Sequence, residues 1–362
     1  MSDIVICGYY GFKNSGDDAL LLSIIQQLKK HKNDIDITVL SKNPEETERV
    51  YGVGAVKRDA IFAVLKSLFS CKLLVLGGGT LIQDRTSTKS LVYYLLIICM
   101  ALVFRKKVML YSNGIGPVKE KNVKLTRKIL NRVNLITLRD EQSAYELEKM
   151  GVTKPKIVVT ADSAFCLESK GGTDIEEFKE KHSIPTDKKY VCVAVREHRK
   201  LCPDFCKNIA DMCDYISQKY DCVPVFIPFQ AEKDNEITQR IRETMRENSA
   251  VADVSYGIVE LVEFMSSAEL SVGMRLHSLI YSTICQTPLI GLSYDPKVSG
   301  FMDYIGQKQC LDAEKLSFDE LINCVDYCFN HADEIKEELK ESYRKMRALA
   351  QQNAKFAVEF IK

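Results

Sequence analysis

The chain has 362 residues, 46% apolar and 27% charged, enough for two ordinary domains with a sizeable core. A formal net charge of +1 excludes a whole-molecule field for nucleic acid, so an anionic substrate needs a local cluster of cations. Thirteen cysteines without a CxxC pair read as free thiols of a reducing compartment, and Met1-Ser2-Asp3 carries no basic signal region, so a cytoplasmic protein is expected.

In chain order, Asp3 to Cys7 reads as a strand, followed by a Gly-rich turn and an apolar-periodic helix from about Asp17 to Lys30. Ile35 to Leu40, Lys72 to Leu76, Lys107 to Ser112, Leu135 to Leu138 and Lys156 to Thr160 read as further strands. Between two of them, Leu91 to Phe104 is almost entirely apolar and is followed by Arg105-Lys106-Lys107. It is shorter than the roughly 20 residues that span a bilayer. Two readings stand: a buried helix, or a helix resting on the inner membrane face with its cations beside lipid.

A looser stretch from Glu168 to Thr173 marks the expected boundary between domains 1–170 and 171–331. The alternation restarts with strands at Tyr190 to Val195, Cys222 to Ile227, Ala250 to Val254, Ala268 to Gly273 and Pro288 to Ser293. Residues 332–362 read as a charged helix that crosses back to the first domain. The expected architecture is α/β, two Rossmann-like domains facing a cleft, with ligands at the strand C-termini.

The first turn, Gly8 to Asp18, leaves a strand and enters a helix, where backbone N–H groups lie open to an anion. Its glycine spacing is not that of a dinucleotide site, no acidic residue ends the second strand, and no Gly-Lys-Ser/Thr closes a P-loop. Asp17 and Asp18 also suit a simple helix start. In the second half, Gly273-Met274-Arg275-Leu276-His277-Ser278 lies between a strand and a helix, and Tyr294-Asp295-Pro296-Lys297-Val298 follows the next strand. Arg275, His277 and Lys297 are thereby predicted at one sheet edge, able to converge on an anion. Arg139, where a strand meets a helix, is a further cation unless Asp140 or Glu141 neutralises it, and Arg196 is a similar candidate. His198, Cys202 and Cys206 share a four-residue spacing, but Pro203 breaks the register and no fourth ligand follows, so no metal is expected.

Taken in order, these segments resemble the polysaccharide pyruvyl transferase family. They are Gly8 to Asp17, Gly77 to Asp84, Gly114-Ile115-Gly116-Pro117, Leu138-Arg139-Asp140, Ala161 to Phe165, Arg275-Leu276-His277 and Tyr294 to Val298. The bacterial branch acting on cell-wall or exopolysaccharide precursors is the most similar. Ser163 stands where many relatives have proline, a departure in loop geometry rather than chemistry.

The resemblance implies a GT-B-like fold and phosphoenolpyruvate as co-substrate, with no cofactor. It also places Arg139, Arg275, His277 and Lys297 at the donor site. Arg275, Lys297 and Arg139 are expected on the phosphate and carboxylate, with His277 or Lys297 moving the proton. The acceptor, a sugar or lipid-linked oligosaccharide, is expected on the first domain at Asn14, Asp17, Gly78, Gly79, Gln83 and Asp84, whose amides and carboxylates suit hydroxyls. The competing readings are a GT-B glycosyltransferase or sugar-nucleotide epimerase, and a sensor with a degenerate site.

Overall fold

The computed structural model describes residues 2–85, 87–168, 171–252 and 257–362. The chain forms two compact units, one of Met1–Glu168 with Met346–Lys362, the other of Ser169–Lys345. The expected boundary after residue 170 falls on Lys170, outside the described residues.

Unit 1 begins β1 (Ile4–Cys7), α1 (Ser15–His31), β2 (Ile37–Ser41), α2 (Pro44–Tyr51) and β3 (Gly54–Lys57). It continues α3 (Ile61–Ser70), β4 (Leu73–Gly77), α4 (Thr88–Val103), β5 (Lys107–Asn113) and α5 (Glu120–Leu130). Then come β6 (Leu135–Leu138), α6 (Glu141–Met150) and β7 (Lys156–Val159). The strands form one parallel sheet in the order β3-β2-β1-β4-β5-β6-β7, so the order reverses between β1 and β4. Those two central strands are fully buried apolar runs because helices cover both faces. One face packs on α3, α4, α5 and α6 through Val64, Leu68, Leu91, Ile98, Leu130 and Leu147. The other packs on α1 through Leu21, Ile24 and Leu28.

Unit 2 begins α7 (Ile175–Lys181), β8 (Lys189–Ala194), α8 (Phe205–Tyr220), β9 (Cys222–Phe226) and α9 (Ala231–Thr244). It continues β10 (Ala250–Val251), α10 (Ile258–Ser266), β11 (Leu270–Gly273), α11 (Leu276–Cys285) and β12 (Leu289–Ser293). Then follow α12 (Pro296–Tyr304), β13 (Cys310–Asp312), α13 (Phe318–Asn330) and α14 (Ala332–Ala350). Its parallel sheet runs β10-β9-β8-β11-β12-β13, reversing between β8 and β11. The last helix, α15 (Gln352–Glu359), belongs to unit 1, where Ala354, Ala357 and Val358 join the α1 side of the core. The unit boundary therefore falls inside α14, between Lys345 and Met346.

Two strands escape the sequence reading. Both β3 and β13 are short edge strands, and neither carries a fully buried residue, so no apolar run announces them. The expected strand at Ala250 to Val254 is observed as Ala250–Val251, while Asp253 and Val254 lie outside the described residues.

Candidate functional site

In each unit the candidate residues lie beyond the strand C-termini, most of them where the strand order reverses, the position at which open α/β sheets leave a crevice. Lys297 follows the next strand, β12, and Arg139 follows β6, two strands from β4.

In unit 1 the turn after β1 is held by its own side chains. Asn14 caps α1, its Oδ1 accepting from Gly16 N at 3.2 Å. The buried Tyr10 hydroxyl donates to Gly77 O at 2.5 Å and ties this turn to the end of β4. Tyr9 stacks on Phe12 at 4.1 Å. The Arg58 guanidinium lies 4.3 Å from the Tyr93 ring centre and donates to Gly8 O at 3.1 Å.

Gly78 and Gly79 follow with φ of 64° and 68°, a backbone that side chains rarely adopt. A Cβ on Gly79 would sit 3.0 Å from Asp17 Oδ1, so the glycine loop and the first turn of α1 are in close approach. Gln83 packs beneath the next glycine loop, where a Cβ on Gly116 would meet it at 2.7 Å.

Asp84 has a different task. It is fully buried, and its oxygens accept from Lys119 N at 2.7 Å and Asn122 Nδ2 at 2.6 Å. Burial alone would raise its pKa, but these hydrogen bonds outweigh it and hold the carboxyl below the ordinary range. Asp84 thus braces the loop after β4 against the start of α5.

Arg139 is enclosed, at 8% exposure, and all three guanidinium nitrogens have partners within unit 1. Nε donates to Asp140 at 3.2 Å, Nη1 to Asp162 at 3.4 Å and Nη2 to Thr80 Oγ1 at 3.1 Å. The Asp140 pairing anticipated as a neutral alternative is present, and Asp162 adds a second carboxylate. A Cβ on Gly114 would lie 2.9 Å from this guanidinium, which is why the 114–117 loop opens with glycine. The preceding bulge in β5 carries Ser112 at φ 53°, fixed by Thr137 Oγ1 on its N–H at 2.8 Å. Arg139 therefore joins the loops after β4, β5, β6 and β7.

Arg275, His277 and Lys297 all lie in unit 2, beyond the C-termini of the adjacent strands β11 and β12. Arg275 precedes α11 and is 13% exposed at its side chain. Its Nε bonds Asp234 Oδ2 at 3.1 Å and its Nη2 bonds Oδ1 of the same carboxylate, while Nη1 takes no part in the pair. Asp234, itself fully buried in the first turn of α9, also accepts from Gln230 N at 2.9 Å. His277 stands half-buried in the first turn of α11, 6.2 Å from the Tyr281 ring. Lys297 is exposed at the start of α12, where Asp295 Oδ1 accepts from its backbone N at 3.2 Å.

Arg196, beyond β8, completes the edge. Its Nη1 donates to the Tyr294 hydroxyl at 2.9 Å, its guanidinium lies 5.0 Å from the Tyr294 ring, and its Nε is buried without a hydrogen-bond partner. The His198 ring lies 5.1 Å from the same Tyr294 ring. It does not form a stripe with Cys202 and Cys206: α8 begins only at Phe205, and Cys202 Sγ donates to Leu316 O at 3.5 Å. Among the described residues no group of three His, Cys, Asp or Glu side chains is placed to hold a metal ion.

Asp234, the Tyr294 hydroxyl and Arg58 are the partners that sequence reasoning missed. For Asp234 a signal exists: with Ile237, Thr238 and Ile241 it occupies the inward stripe of α9, while Glu232 and Glu236 are exposed.

Two α/β units, each a parallel sheet wrapped in helices with polar residues at the strand C-termini, define a Rossmann-like protein of GT-B-like class. The same fold over the whole chain occurs in a glycosyltransferase from Rickettsia africae, with 11% identity, TM-score 0.66 and coverage of 100% and 99% of the two chains. It occurs also in the UDP-GlcNAc 2-epimerase of Methanocaldococcus jannaschii, with 17% identity, TM-score 0.64 and coverage of 91% and 93%. Residues 14–296 match the polysaccharide pyruvyl transferase family, and the chain belongs to that family of transferases. A curated relative is the amylovoran biosynthesis protein AmsJ of Erwinia amylovora, 22% identical, with 96% of each chain covered. The family match includes Arg139, Arg275 and His277, and ends one residue before Lys297.

Proposed function

We propose that the enzyme transfers the enolpyruvyl group of phosphoenolpyruvate to two hydroxyls of a cell-envelope sugar, giving a pyruvate ketal and inorganic phosphate. The observation that carries this reading is family membership over residues 14–296, with the cation edge of unit 2 lying in and beside the matched span. A donor bearing both carboxylate and phosphate needs several fixed cations, and Arg275 and Lys297, with Arg196 beside them, supply them at one sheet edge of unit 2. Arg139, expected among them, is engaged by Asp140, Asp162 and Thr80 in unit 1 and is left out of this set.

In the reaction one sugar hydroxyl adds to C2 of the donor while a proton reaches C3, turning the methylene into a methyl group. A second hydroxyl then attacks C2, phosphate departs with the C2–O bond electrons, and the second hydroxyl proton leaves with it. His277, in the first turn of α11, moves the proton, since imidazole titrates near neutrality. Lys297 is the alternative donor to C3. Arg275, aligned by Asp234, and the open end of α11 stabilise the departing phosphate, so the chemistry needs no cofactor. The sugar sits on unit 1, with Asn14, Asp17, Gly78, Gly79 and Gln83 around the β1/β4 reversal. Asp84, already saturated, would shape that site rather than bind the hydroxyls.

His277→Ala should lower phosphate release from phosphoenolpyruvate plus acceptor by about 10²–10⁴-fold, the usual worth of a general acid–base group. Lys297→Ala should cause a loss of similar size if it protonates C3, and near-normal turnover in either variant removes that residue from the mechanism. The solved structures of similar fold raise one competitor, a nucleotide-sugar enzyme, since they include UDP-GlcNAc 2-epimerases and a complex with UDP. Thermal stabilisation by UDP-sugars and not by phosphoenolpyruvate would establish that reading instead.

A further inference from the structure

We infer that the outer surface of α3 and α4 is a docking face for an anionic lipid bilayer. Both helices cover the same side of the unit 1 sheet, and their inner stripes, Val64 and Leu68 on α3 and Leu91, Ile98 and Ala101 on α4, are buried in its core. The opposite stripes also carry large apolar side chains, interspersed with Lys66 and Lys89. Phe62 is 85% exposed, Val103 75% and Phe69 68%, with Ile61 and Leu96 beside them above half. Helices with apolar residues all round ordinarily have a second partner.

At the C-terminal ends of the two helices this surface is already organised. The Phe69 and Phe104 rings meet edge to face at 5.6 Å, and Lys106 Nζ lies 5.6 Å from the Phe69 ring.

Charge identifies the partner. From Ile61 to Lys107 the sequence carries Lys66, Lys89, Arg105, Lys106 and Lys107 among its cations, and Asp84 is its one acid. That acid is buried and bonded to Lys119 N, so it offsets nothing at the surface. The face is cationic in a chain whose net charge is +1. A second copy docked symmetrically would set this one-signed surface against itself, with like charges opposed. An anionic bilayer complements it: phenylalanines enter the headgroup region and lysines extend their stems toward the phosphates. No helix among the described residues is long and apolar enough to cross a membrane, so the contact is peripheral.

The test uses the purified full chain and vesicles of phosphatidylcholine with or without roughly 30% phosphatidylglycerol, read by flotation. The expected result is binding to the anionic vesicles, weakened by salt, and reduced at least about 10-fold both in Phe62→Ser/Phe69→Ser and in Arg105→Glu/Lys106→Glu. All of these side chains except Lys106 are exposed, so both variants should keep the wild-type melting temperature, and the charge pair tests the face even if the phenylalanine pair misfolds. Absence of binding to anionic vesicles, or equal binding by folded variants, overturns the inference. So does a wild-type dimer in light scattering that Phe62→Ser/Phe69→Ser dissolves. Because flotation requires no donor or acceptor, its outcome is independent of the pyruvyl transfer chemistry.

Discussion

Arg275 carries two burdens that kinetics alone would merge. Its guanidinium neutralises the fully buried Asp234, and it stands at the edge where the donor anion is proposed to bind. Removing it leaves Asp234 with the Gln230 N–H as its remaining partner. Arg275→Ala should therefore cost about 3–5 kcal/mol in urea unfolding, besides its effect on turnover. His277→Ala, which leaves no buried charge behind, should cost under about 1 kcal/mol while losing activity. The double variant Arg275→Met/Asp234→Leu separates the two burdens: stability should return and phosphate release should not. Recovery of both would reduce the pair to a structural brace. The Arg275 position was legible because Arg-Leu-His opens a helix after a strand. That Asp234 holds it was not, since the pair spans 41 residues and only the fold brings them together.

At the scale of the element, α1 joins a capped start to a carboxylate held at a cost. Asn14 supplies the cap, and Asp17 and Asp18 occupy the first turn, where a carboxylate is ordinarily favourable. Asp18 departs from that expectation. Burial, reinforced by the charge of Glu46 on α2 and partly offset by the Tyr51 hydroxyl, pushes its carboxyl up to about 7. The folded state thus prefers the protonated form. Its contribution is fully present below the unfolded pKa near 4 and is lost as pH rises through about 7. Asp18→Asn mimics the protonated acid, so at pH 8 it should exceed the wild type by about 2 kcal/mol, allowing for partial exposure. Near pH 4 the two proteins should coincide. Chemical unfolding across that range checks this, and a constant difference at all pH values would place the effect elsewhere. The amphipathic period of α1 was readable from its apolar spacing, whereas the Asp18 environment depends on α2, whose packing no local pattern reveals.

Over the whole molecule, the decisive feature is the return of the chain to unit 1. In α15, Ala354, Ala357 and Val358 pack into the core beneath α1, joined by Ile361, and Thr160 Oγ1 bonds Asn353 at 3.2 Å. Unit 1 is therefore built from both ends of the chain. Deleting residues 352–362 should remove about 3–5 kcal/mol of apolar burial and lower its unfolding transition by about 10 °C. Unit 2, which contains none of these residues, should keep its own transition in the same calorimetric scan. A single transition lowered as one would show instead that the two units unfold together.

The sequence by itself determined the alternation of strands and helices, the glycine turns at their junctions and the presence of cations there. These are encoded within ten or twenty neighbouring residues, by the period of apolar side chains and by backbone freedom. Only the tertiary structure decided what those cations face. Arg139 is engaged through all three nitrogens by Asp140, Asp162 and Thr80, Arg275 is aligned by Asp234, and Arg196 rests on Tyr294 with its buried Nε unpaired. The same holds for the apolar segment 91–104, which hydropathy alone left between core and membrane. The fold gave it both an inner face against β4 and β5 and an outer one shared with α3. In each case the reason is the same. A charge or an apolar surface takes its energy from what lies across from it, and parallel sheets set residues far apart in sequence side by side.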